Sequence, residues 1–295
     1  MKLTELLKEL QTQVPMCSSE EHDVDTRKAY MKKTRTFLHI IEESGVLKES
    51  EMNTLKRIRN KINDIWINYL YGRVNTASSQ MQNLLQYRIH DDIYMDYFQN
   101  PGSQPAILYR GRISEKPLTD VKSFYHIPFN QRYLIGNQRY SLSGIPCLYL
   151  ASSMDCVYAE LGQKKNVCLC ECKCKKDFPL FDMSIDYEYI LHHKRTRKEV
   201  IDFLYTMPLK YACSIKALDN DGAKFKTNYI IPQLITATLY NMNTDIKGIC
   251  YGSIAGNDLS YPMRLNYVYL PVYVLGKDIY DMELITSFDI KIRKM

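Results

Sequence analysis

The chain has 295 residues, 45% of them apolar, and its 39 lysines and arginines against 33 acidic residues give a formal net charge of +6. That length fits one large domain or two modest ones, and the apolar share supplies a core and excludes global disorder. The mildly basic balance suits an anionic small ligand and is too weak to argue for nucleic acid on its own.

The first residues, MKLTELLKELQTQ, carry Glu5, Lys8 and Glu9 where a secretion signal needs an unbroken apolar stretch, and so predict an amphipathic helix. A second helix is expected through TRTFLHIIEES, ending at Gly45, with His39 packed inside it. The stretch ESEMNTLKRIRNKINDIWINYLYG sets Leu55, Ile58, Ile62, Ile65, Trp66 and Tyr69 on one helical stripe, with Ser50 as its N-cap. A further helix is expected from Thr76 through Leu84, Leu85 and Ile89. Residues 1–99 therefore read as an all-helical N-terminal domain, and NPGSQP (100–105) as the boundary.

The texture then changes. AILYRGRI, PCLYLA, NVCLCECKC, KGICYGSI and NYVYLPVYVLG read as strands, and SMDCVYAELG, TRKEVIDFLYTMPLKYA and PQLITATLYNMN as helices. This mixture predicts an α+β domain over residues 105–295. No window approaches a membrane-spanning length, and nine cysteines, odd in number and clustered, fit a reducing cytoplasm.

Four of those cysteines form C-x-C-x-C-x-C at 168, 170, 172 and 174. On a strand their sulfurs line one face in a row too long to converge on a single metal, so they are expected to face the core. The basic run HHKRTRKEV (192–200) reads as the solvated start of a helix. The Arg-to-His spacing of helical ribonuclease toxins is absent, because Arg35 lies four positions before His39 and Arg88 only two before His90.

In LYRGRI, Arg110 and Arg112 point to one strand face, where two guanidinium groups repel unless an anion lies between them. The alternative is a pair of surface arginines on an edge strand. In QRYSLSGIPCLYLASSMDCVYAEL, Arg139 precedes a turn at Gly144 and Pro146, Tyr149 lies on the next strand, Ser152 and Ser153 can cap a helix, and Glu160 lies on that helix. Spacing alone leaves two readings of Arg139 and Glu160, an ion pair or two ends of a ligand site.

Taken in order, YRGR (109–112), NQRYS (137–141), GIPCLYLASS (144–153), CVYAEL (156–161) and KGICYGS (247–253) resemble the motifs of the RES domain family, named for an Arg, a Glu and a Ser. The resemblance covers about residues 105–275. It departs from the family at Gln138, where a glycine is usual, and at the Tyr-Ser that follows Arg139. It implies a mixed β-sheet domain similar to ADP-ribosyltransferases, and cleavage of NAD to release nicotinamide, with water or phosphate as acceptor. NAD would be a substrate and no cofactor or metal is implied. Glu160 would stabilise the oxocarbenium-like transition state through the ribose hydroxyls. Arg139, with Arg110 or Arg112, would hold the pyrophosphate. Tyr149 would orient the nicotinamide ribose, Ser253 would donate a hydrogen bond to ribose or phosphate, and Tyr140 and Tyr251 would line the substrate. Toxin members of the family are restrained by an antitoxin protein, which implies such a partner or regulator here. The N-terminal helices are expected to offer a surface to it or to a second copy of the chain. Rival expectations are an ADP-ribosyltransferase acting on a macromolecule, and a non-catalytic nucleotide-binding module.

Overall fold

The structure is a computed structural model, and it describes residues 2–16, 26–99, 104–162, 165–193, 195–216, 225–242, 244–255, 261–276 and 279–293. In chain order the elements are α1 (Leu3–Gln13), α2 (Thr26–Ser44), α3 (Glu49–Leu70), α4 (Val74–Leu85), β1 (Arg88–Ile89), β2 (Asp92–Ile93), β3 (Ile107–Ile113), β4 (Leu148–Ala151) and α5 (Met154–Glu160). There follow β5 (Val167–Cys174), β6 (Leu180–Asp182), α6 (Tyr187–His192), α7 (Arg197–Ser214), α8 (Ile230–Asn241), β7 (Gly248–Gly252), β8 (Leu265–Tyr269), α9 (Met282–Thr286) and β9 (Phe288–Arg293). The fold is α+β. Among the described residues no helix is long and apolar enough to cross a membrane.

Two compact units divide the chain. The first comprises Met1–Phe98, Asn137–Tyr140 and Ile185–Asn243; the second comprises Gln99–Gly136, Ser141–Ser184 and Thr244–Met295. Part of the expected boundary, 100–103, lies outside the described residues, as does position 194 of the basic run.

The first unit is a helical assembly with the small antiparallel hairpin β1–β2. Its stripe on α3 forms as the spacing predicts, with Leu55, Ile58, Ile62, Ile65 and Trp66 all fully buried. Tyr30 of α2 meets Trp66 with ring centroids 5.0 Å apart. The inner helix is α7, buried on every side from Phe203 to Ser214 and packed against α2, α3 and α8. Its start is fixed by Thr196, whose hydroxyl accepts from Glu199 N while Glu199 accepts from Thr196 N, a reciprocal cap. Gly45, at φ +62°, ends α2 as expected.

Three local expectations are corrected. Ser50 lies inside α3, which starts at Glu49; the Glu51 carboxylate takes the capping bond from Lys48 N at 2.8 Å. His39 is exposed and pairs with Glu43 at 3.4 Å. It falls between the buried faces marked by Leu38 and Ile40, and its apolar sequence neighbours give no guide to its own direction. Ile89 belongs to β1, because the helix before it ends at Leu85 and His90, at φ +57°, turns the chain into a hairpin.

The second unit is built on a seven-stranded sheet in the order β6-β7-β8-β4-β3-β5-β9, antiparallel throughout except for the parallel pair β6–β7. Alternation separates its two faces. One face carries Leu108, Leu148, Leu150, Cys168, Cys170, Cys172, Cys250, Tyr267 and Tyr269, the main core cluster. The cysteine row thus faces the core as expected, with only Cys174 half-exposed. The other face carries α5, which packs with Ala151, Val167 and Leu169. Gly111 makes that approach possible. A Cβ there would stand 2.4 Å from Val157 Cγ1 and 2.8 Å from Leu161 Cδ1, so the helix rests on bare backbone.

Candidate active site

Glu160 is the last residue of α5 and is exposed. The helix that carries it is short, and its start is fixed by Ser153, which accepts from Cys156 N at 3.0 Å and donates to Met263 O at 2.6 Å. At the far end, one carboxylate oxygen of Glu160, Oε1, accepts two hydrogen bonds, from Ser253 Oγ and from Asn266 Nδ2, each at 2.6 Å. Both donors are buried, at 2% and 5% exposure, whereas the acceptor faces solvent. The carboxylate is therefore tied on its inner side only.

The donors come from neighbouring strands. Ser253 follows β7, and its N–H donates to Arg264 O at 2.7 Å, continuing the β7–β8 ladder. Asn266 lies within β8, paired with Tyr251 on one side and Ala151 on the other. Ala151, Asn266 and Tyr251 make one row across the sheet, and Tyr149, Val268 and Ile249 make the next row on the same face. Tyr149 and Tyr251 thus flank the Glu160 centre diagonally, two strands apart. The Tyr149 hydroxyl lies 3.0 Å from Ser141 Oγ. Cys156 points into the same cluster, its thiol 3.6 Å from Asn266 Oδ1. Burial and the nearby Glu160 carboxylate push that thiol up to about 12, so it is no nucleophile at neutral pH.

The arginines lie elsewhere. Arg110 and Arg112 share the cysteine face of the sheet, opposite to α5 and Glu160. Their strand, β3, is interior. Arg110 donates to Tyr149 O at 2.7 Å and Tyr125 O at 3.4 Å, and Arg112 to Ser123 O at 3.2 Å and Tyr125 O at 3.1 Å. No carboxylate pairs with either among the described residues. Burial and the adjacent Arg112 push Arg110 down to about 9, which leaves it charged at neutral pH. The two guanidinium groups hold the 123–125 turn against the sheet.

Arg139 and Tyr140 fall in the first unit. Arg139 donates to Cys213 O at 2.7 Å, and its guanidinium lies 5.0 Å from the Tyr229 ring centre. Tyr140 is buried, and its carbonyl accepts from Thr236 Oγ1 at 2.9 Å. Gln233 secures the preceding residues through Asn137 Oδ1 and Gln138 O. Of the residues named from the sequence, Glu160 and Ser253 are in direct contact, with Tyr149 and Tyr251 on the same sheet face. Asn266 and Cys156 were not singled out. The one signal for Asn266 is an amide in a strand otherwise made of Leu, Tyr and Val, all five residues of which are buried.

The chain is 25% identical over 257 residues to a protein of Bacillus subtilis strain 168 named "Putative toxin YopC". That match covers 80% of this chain and 57% of the relative, so the chain spans a little over half of the relative's length. No family model matches the chain, and no solved structure matches it.

Proposed function

We propose that the second unit cleaves the nicotinamide–ribose bond of NAD, as the RES resemblance implies, and that the protein acts as a toxin by this reaction. The observation that carries the reading is Glu160, an exposed residue whose carboxylate has one oxygen, Oε1, tied by two buried donors. The chemistry asks for little more. Nicotinamide leaves as a neutral pyridine from a cationic pyridinium, so no strong general acid is required. The sugar left behind develops oxocarbenium character, and a fixed anion beside it lowers the barrier. Glu160 supplies that anion through the ribose hydroxyls. Ser253, whose hydroxyl donates to Glu160, positions the carboxylate. Tyr149 and Tyr251 offer ring walls on the same face for the sugar and its leaving group. The toxin role draws on the name of the Bacillus relative.

Purified protein incubated with NAD is expected to release nicotinamide without labelling any macromolecule. Glu160→Gln is expected to slow release by roughly 100- to 1,000-fold, the usual cost of losing one electrostatic group. Intact NAD after incubation overturns the reading, and ADP-ribose attached to protein or nucleic acid replaces it by transfer. Running the assay with and without phosphate separates phosphorolysis from hydrolysis.

A further inference from the structure

We infer that Asn266 is a positioning residue of this site alongside Ser253: a permanent donor on the rigid sheet that helps set where the Glu160 carboxylate stands. The role of that carboxylate in NAD cleavage rests on the reading above; the positioning itself does not.

Three observations support it. Asn266 is anchored from both sides, since β8 is an interior strand with Ala151 of β4 and Tyr251 of β7 as its register partners. A side chain on such a strand is held more tightly than one on a chain end. Ser253, the other donor, lies just beyond the end of β7. The orientation of the amide is also decided. Nδ2 meets the carboxylate at 2.6 Å, while Oδ1 faces the Cys156 thiol at 3.6 Å, so a flipped amide would set oxygen against oxygen at Glu160. Finally, an amide does not titrate. Among the described residues, the titratable groups that share this face with Glu160 include Cys156 from its own helix, which feels its charge, and Tyr251 of β7 and Tyr149 of β4 in the rows about Asn266. The Asn266 amide therefore donates to Glu160 whatever the state of those neighbours, and unlike the freely rotating Ser253 hydroxyl its N–H direction is fixed by the planar amide.

The decisive variant is Asn266→Asp, which keeps shape and replaces the donor by a second carboxyl. Two carboxyls at this separation share one proton: the protonated partner can still donate to Glu160, and the ionised partner repels it. Carbon-13 titration of labelled glutamate carboxyls, with Glu160→Gln assigning the signal, is expected to show Glu160 titrating at least one pH unit higher in N266D than in wild type. Nicotinamide release by N266D is expected to fall as pH rises from 5 to 8, a limb the wild type lacks. Asn266→Ala, which removes the donor without adding charge, is expected to lower kcat roughly 10- to 100-fold, as for a lost hydrogen bond to a charged group, with KM within about twofold. Its Glu160 titration should also move up, by less. An unmoved Glu160 titration in a folded N266D, or in folded N266A if N266D does not fold, overturns the inference. Should the wild type release no nicotinamide, the NAD reading falls and the carboxyl titration still decides the role of Asn266.

Discussion

A carboxylate at the end of a seven-residue helix has little to hold it except what meets its tip, and here the tip is met by Ser253 and Asn266. The motifs name Glu160 and Ser253 for one site, each toward the substrate, and give no sign that the two bond to each other. Nor was the pairing with Asn266 legible, because strand periodicity reveals burial and parity but not which residue sits opposite. The same limit applies to Arg110 and Arg112. Their shared face follows from the spacing, whereas the side of the sheet it occupies depends on where α5 packs. Another residue invisible in the sequence is His126, 1% exposed, with Nδ1 bonded to Ile127 O at 2.8 Å and Nε2 accepting from Asp281 N at 3.0 Å. Burial holds its imidazole below the usual histidine value. A second proton would put N–H against N–H at Asp281. The unfolded chain therefore binds more protons than the native one as pH drops below about 6.5, and stability falls with it, by at most about 1.4 kcal/mol per pH unit from this site. Denaturant melts between pH 7.5 and 5 are expected to show this slope, and His126→Gln is expected to flatten it.

At the scale of elements, the distance between α5 and the sheet decides whether Glu160 reaches its partners. Gly111 sets that distance. Its replacement by alanine drives a methyl into Val157 and Leu161, which belong to α5 and its exit. Gly111→Ala is expected to cost about 1–3 kcal/mol of stability, as overpacking does, and to lower the activity of the folded fraction by lifting Glu160 from Asn266. A melting curve together with a per-molecule turnover rate checks both; unchanged turnover would show that the helix shifts without moving its end. The strand PCLYLA and the helix after it were legible because turn residues bracket them and Ser153 caps the helix. Ile89 was misplaced because an apolar residue immediately before a hairpin turn keeps the helical stripe going by accident.

At the scale of the molecule, the chain returns to its helical unit twice, with Asn137–Tyr140 and with Ile185–Asn243. The helices α6–α8 were read from the sequence as part of the sheet domain, since sequence order is the only guide before contacts are known. Yet α7 is buried on all sides from Phe203 to Ser214 and packs with α2 and α3, which lie more than 120 residues earlier. A fragment of residues 105–295 is thus expected to be insoluble, and one of residues 1–99 to lack cooperative unfolding, because each is missing half of one core. Expression of both, with sedimentation and thermal melts, tests this; a monomeric, cooperatively melting 105–295 would refute it. The row of thiols along β5 has a use of its own at this scale. Cys170 and Cys172 are shut inside one unit and Cys213 inside the other. Alkylating reagent can reach them only when the surrounding structure opens. The chain therefore carries a separate chemical stopwatch for each unit, and mass spectrometry of timed alkylation can read which of the two comes apart first.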